Sequence, residues 1–150
     1  ICGSNMPESL RQLCAGQDDI EAAGFISDLG DVFDRCRLSV APLRFGAGLK
    51  GKLATSFGYG VPCIATSVAV EGMSQEHLAG CRLQGDTPEE LATLIAHFYA
   101  NEADWLRVSE ASLNYVERHF SYGVIKDRVK TIIDTLEPAA AARLRKADAA

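Results

Sequence analysis

Short apolar runs alternate with amphipathic stretches along most of the chain. Ile1 to Gly3 has the pattern of the end of a buried strand, and the loop SNMP follows it. Pro7 suits a first helical turn, which ESLRQLCA continues. IEAAGFI, from Ile20 to Ile26, predicts a short strand, and Asp28 can cap a short helix over LGDVFDRC. LSVAPL (38–43) is apolar and branched, as expected of a strand buried on both faces. LKGKLATSFGYG then predicts a helix ending in glycines, and VPCIAT (61–66) a buried strand with its proline at the start.

SVAVEGMS reads as a loop and CRLQ (81–84) as a weak strand. Thr87-Pro88-Glu89-Glu90 is a helix start, with a cap, a proline in the first position and an acidic first turn. Leu91, Leu94, Ile95 and Phe98 give that helix one apolar face. Two further helices are predicted, over about 102–119 and 122–136. Trp105, Val108, Ser112, Tyr115 and Val116 mark one face of the first, and Val129, Ile132, Ile133 and Leu136 one face of the second. From Pro138 the alanine-rich AAAARLRKADAA is expected to be a frayed helix or a linker. The domain division this implies is 1–136 for the folded part and 137–150 for the tail.

Strands alternating with helices predict an α/β fold, a Rossmann-like parallel sheet with helices on both faces. Ligands of such sheets sit at the carboxyl ends of the strands. The loops GSN, GFISD, RFGAG and TSVAVEG should therefore share one edge.

Composition narrows the function classes. The chain has 150 residues, is 47% hydrophobic and 23% charged, and carries a net charge of −5. That charge argues against a nucleic-acid partner but leaves room for a local basic pocket. Five widely spaced cysteines, an odd number without a C-x-x-C, suit reduced thiols in a cytoplasmic protein. The histidines, His77, His97 and His119, have no metal-ligand spacing with them. No apolar run is long enough to span a bilayer. The chain opens on Ile1 inside an apolar run, as expected of a fragment with sequence upstream.

The chemistry concentrates in RFGAGLKGKL, residues 44–53. Gly46 to Lys52 fits G-x-x-x-x-G-K, the phosphate loop of triphosphatases, but that motif needs Ser or Thr for Mg²⁺ where this chain has Leu53. The parts nevertheless suit a phosphate: glycines that admit an anion, a helix N-terminus, and the cations Arg44, Lys50 and Lys52. Cys63, in a buried strand, is not expected to be a nucleophile.

RLSVAPLRFGAGLKGKLATSFGYGVPCIATSVAVEGM resembles the C-terminal half of group 1 (family 4) glycosyltransferases, which are two-domain GT-B enzymes. The resemblance extends through CGS and GFISDL upstream and TPEELATLIAHFYANEADWLRVSEASLNYVERHFS downstream, over about residues 1–136. It implies the donor half of a retaining transferase of polysaccharide biosynthesis, here lacking that half's first strand and helix. The donor would be a nucleoside-diphosphate sugar. The acceptor, a glycan, lipid or protein, would be held by a missing N-terminal domain. Neither metal nor cofactor would be required. The location would be the cytoplasm or the cytoplasmic face of a membrane. By the same resemblance Arg44 and Lys50 would be the catalytic cations that hold the diphosphate, with Lys52 in reserve. Gly46, Ala47, Gly48 and Leu49 would meet the phosphates or sugar through their amides, and the loop beginning at Ile26 would receive the base. Gly3 and Ser4 would line the same edge, and Glu71 could reach a sugar hydroxyl.

One position departs from the pattern. Many members carry a ribose-binding Glu one turn into the helix, where this chain has Thr55, and an earlier acid where it has Ala47. A threonine hydroxyl binds a ribose more weakly than a carboxylate does. Two other classes stay open: a degenerate, non-catalytic transferase domain kept for interaction, and a nucleotide-sugar epimerase, which would need site acids and histidines.

Overall fold

The computed structural model describes residues 1–48, 50–73 and 78–147, with side chains described up to residue 136. The chain divides into two compact units, Ile1–Cys36 and Arg37–Ala150.

In the first unit, α1 (Glu8–Ala15) starts after Pro7, which occupies its N-cap, and buries Cys14. The strands expected at its two ends shrink to one parallel bridge between Cys2 and Gly24. Gly3 N–H donates to Gly24 O (2.7 Å) and Ala23 N–H to Ile1 O (3.0 Å). Ile1 and Cys2 are exposed, so the expectation of a buried strand there is corrected. The Ile20–Ile26 run cannot continue as a strand because Gly24 turns to φ +70°. Asp28 meets its expected role: Gly30 N–H donates to its Oδ1 (2.8 Å) at the start of α2 (Gly30–Phe33).

The second unit is α/β. Strand β1 (Ser39–Ala41) pairs in parallel with β2 (Cys63–Ala65), Ser39 opposite Cys63 and Ala41 opposite Ala65. Gln84 adds a third parallel position through a bridge to Ala65. The strand expected over 38–43 ends early because Pro42 offers no N–H and Leu43 N–H turns back to Ala41 O (3.0 Å). It is also not buried on both faces, since Val40 is 46% exposed.

Between the strands runs α3 (Gly51–Gly58), whose apolar side carries Leu53 and Phe57. These residues join Ile64, Ala65, Phe98, Val108 and Tyr115 in one core, with Leu91, Leu94 and Ile95 against it. The expected helix start at Thr87 is a full capping box on α5 (Pro88–Ala100), Thr87 and Glu90 each satisfying the other's backbone N–H. Helix α6 (Glu102–Phe120) buries Val108, Ser112 and Tyr115, as its spacing predicts. Its Ser109 hydroxyl donates to Gly60 O (2.6 Å), where α3 has ended.

One further expectation changes. SVAVEGMS is not all loop: Ser67–Val70 forms the short helix α4. The last helix, α7 (Tyr122–Ala147), forms as expected, and its apolar residues Val129, Ile132, Ile133 and Leu136 are all exposed. The helical backbone continues past Pro138 to Ala147.

Candidate functional site

The parallel register sends the chain out of β1 at Pro42 and out of β2 at Thr66 on the same edge of the sheet. The first exit is the glycine-rich loop. Two of its glycines, Gly46 (φ +138°) and Gly48 (φ +73°), hold backbone conformations that a side chain would strain. A Cβ on Gly46 would also lie 3.3 Å from Lys50 Cε, because the lysine folds back over the loop. Lys50 Nζ donates to Gly48 O (2.6 Å), and Lys50 itself is the N-cap of α3.

Among the described residues no side chain caps α3, so its first-turn N–H groups have no side-chain partner there. The Lys50 backbone carbonyl does start the helix, accepting from Leu53 N–H (3.0 Å). The cap position thus holds an ammonium where acids and hydroxyls are preferred. The positive helix end and the cation reinforce each other rather than cancelling. Arg44 and Lys52 are exposed beside it, and among the described residues no carboxylate pairs with Arg44, Lys50 or Lys52. Such an arrangement attracts an anion of high charge density.

Arg44, Gly46, Ala47, Gly48, Lys50 and Lys52 therefore lie on one continuous loop and helix start, while Leu49 falls outside the described residues. Thr55 sits one turn along α3, half-buried, and its hydroxyl proton is given to Gly51 O (3.0 Å). Glu71 is exposed on the second exit, at the C-terminus of α4. Gly3, Ser4 and Ile26 belong to the first unit, where the Cys2–Gly24 bridge sends both of their segments out on one edge. Leu53 is 1% exposed and its side chain belongs to the core.

Two groups at this edge are not evident from the sequence. Thr66, at the end of β2, donates its hydroxyl proton to Leu43 O (2.7 Å) at the root of the glycine loop. Asp86 accepts from Ser67 N–H (2.7 Å) at the start of α4, and this bond holds its carboxyl below the usual carboxylate range. A strand-terminal Thr beside a glycine loop is a weak signal, since only the pairing register brings residues 43 and 66 together.

Several other polar residues have structural partners. Burial pushes the Cys63 thiol up, with a Ser39 hydrogen bond and the Lys52 charge opposing it, so Cys63 stays a protonated core thiol. Trp105 Nε1 donates to Arg37 O (2.6 Å), and the Arg37 guanidinium lies over its ring. His97 Nε2 pairs with Asp104 (2.8 Å) between α5 and α6, and His119 lies against Tyr115. His77 is outside the described residues. Among the described residues no three metal-ligating side chains cluster, and no helix is long and apolar enough to cross a membrane.

A search of curated proteins found no match to the chain. The family model described as "Glycosyl transferases group 1" matches residues 1–101, a span that contains both strands, the glycine loop and α3. The chain belongs to the group 1 glycosyltransferases.

Proposed function

We propose that this chain is the donor-binding part of a retaining glycosyltransferase that moves a sugar from a nucleoside-diphosphate sugar to an acceptor glycan, lipid or protein. The observation that carries this reading is the ammonium of Lys50 at the N-cap of α3, over a loop kept open by Gly46 and Gly48, with Arg44 beside it. The diphosphate would lie on the first-turn amides of α3, gripped by Arg44 and Lys50, with Lys52 adding charge. As the bond to the anomeric carbon breaks, negative charge grows on the departing diphosphate. Cations and amides already oriented toward it stabilise that state more than the ground state. These two cations can supply the charge, so activity is expected to survive chelation of divalent ions.

In this reading Glu71 reaches a sugar hydroxyl. A separate domain holds the acceptor, and the enzyme works in polysaccharide assembly at the cytoplasmic side. Titration calorimetry of the complete protein with UDP, GDP and ADP tests the donor site. One of the three should bind, and Arg44→Ala and Lys50→Ala should each weaken it by about tenfold or more, as for a lost charge-assisted bond. Binding of none by the intact protein would overturn the enzymatic reading.

One observation favours a second reading, a degenerate domain kept for interaction. The ribose position carries Thr55, and its hydroxyl proton is already spent on Gly51 O. A Thr55→Glu variant that tightens nucleotide binding would identify that position as the weak point.

A further inference from the structure

We propose that the Thr66 hydroxyl is a positioning group for the diphosphate loop: by holding the carbonyl of Leu43, it sets the direction in which Arg44 leaves the sheet. The proposal rests on the donor-site reading above.

Three features single Thr66 out. First, it is the N-cap residue of α4, yet its side chain makes no capping bond. A threonine at an N-cap ordinarily turns its oxygen onto the first-turn N–H groups. Here the carboxylate of Asp86 takes Ser67 N–H instead, at 2.7 Å. Capping is thus delegated to another segment, and the hydroxyl is turned across the strand ends to Leu43 O, also at 2.7 Å.

Second, the backbone around this bond is fixed from two sides. Thr66 N–H donates to Ala41 O (3.2 Å), and Leu43 N–H donates to the same carbonyl (3.0 Å). Leu43 is therefore held at both its N–H and its C=O. The peptide that follows is planar, so fixing the Leu43 carbonyl also fixes the plane and the N–H of Arg44. Among the described residues, Arg44 is the first of the loop with no backbone hydrogen bond to the sheet.

Third, Thr66 is 8% exposed, which shields its hydrogen bond from competing water. The bond spans 23 residues of sequence and joins the two chain exits on the ligand edge. One hydroxyl thereby couples the loop carrying Arg44 to the segment that leads through α4 to Glu71.

The test uses the complete protein and whichever of UDP, GDP or ADP the wild type binds. Thr66→Val keeps the branched shape and removes the hydroxyl, Thr66→Ser keeps the hydroxyl, and Arg44→Ala is introduced alone and combined with Thr66→Val. The expected result is a roughly tenfold loss of affinity in Thr66→Val and recovery to within about threefold in Thr66→Ser. In addition, Arg44→Ala should cost clearly less in the Thr66→Val background than in wild type, a coupling that general destabilisation would not produce. Wild-type affinity in Thr66→Val, or strictly additive losses, would overturn the proposal while Arg44→Ala still weakens binding. Unchanged binding in Arg44→Ala alone would instead overturn the donor-site reading. Should Thr66→Val fail to fold, Thr66→Ala carries the same comparison.

Discussion

Leu53→Ser writes the hydroxyl of a triphosphatase loop back into Gly46–Leu53, and it should destabilise the protein rather than activate it. Leu53 is 1% exposed and packs in the core with Phe57, Ile64 and Ala65. Truncating such a leucine to alanine costs about 2–5 kcal/mol in lost burial and residual cavity. A serine hydroxyl left unpartnered there adds ~1–3 kcal/mol, or less if it reaches back to a carbonyl one turn earlier. The total runs from about 2 to about 8 kcal/mol, against an entire domain stability of ~5–15 kcal/mol. The assay is urea unfolding followed by fluorescence of Trp105, the single tryptophan, whose indole is anchored to Arg37 O. With a slope of ~1–3 kcal/mol per molar urea, a loss of ~3 kcal/mol moves the midpoint by roughly 1–3 M. Leu53→Met, which conserves volume, should lose less than about 1.5 kcal/mol. A Leu53→Ser protein within ~1 kcal/mol of wild type would refute the core assignment. Gain of Mg²⁺-dependent triphosphate binding would refute the reading of the loop itself.

Ser112 on α6 is fully buried and its hydroxyl has no partner among the described residues. Ser112→Ala should therefore leave the urea midpoint unchanged or raise it, and a loss above ~1 kcal/mol would mean the hydroxyl has a partner after all. The acid limb of stability can be read the same way. The carboxyls of Asp86, Glu90 and Asp104 are held down chiefly by hydrogen bonds, from Ser67 N–H, Asp86 N–H and His97 respectively. Groups with lowered folded values stabilise fully above the ordinary carboxylate range, near ~4, and lose that contribution as pH falls through their folded values. Asp86→Asn should flatten the stability curve below about pH 4 and leave its slope at neutral pH unchanged. Parallel acid limbs for variant and wild type would exclude a contribution from Asp86.

Much of the second unit was legible because its signals are local. The capping box at Thr87–Glu90 needs four adjacent residues, and it formed as spaced. The inner faces of α5 and α6 follow from helical periodicity, and the buried β2 from an apolar run behind a proline. Locality also explains the failures. The runs at Ile1–Gly3 and Ile20–Ile26 have strand composition, but extended backbone persists only where a partner completes its hydrogen bonds, and Gly24 at φ +70° ends the pairing after one bridge. The apolar face of α7 holds as a pattern while its residues are exposed, because periodicity identifies a face and not what covers it.

The site divides along the same line. From the sequence alone came its ingredients: glycines 46 and 48, cations 44, 50 and 52, and a helix to follow them. Sequence also ruled against a Mg²⁺ triphosphatase, through the missing hydroxyl at Leu53. The tertiary structure alone decided that Thr66 holds the root of the loop. The physical reason is range. Residue type and spacing fix which groups are present, whereas the direction of a hydrogen bond between residues 43 and 66 exists only after β1 and β2 have paired.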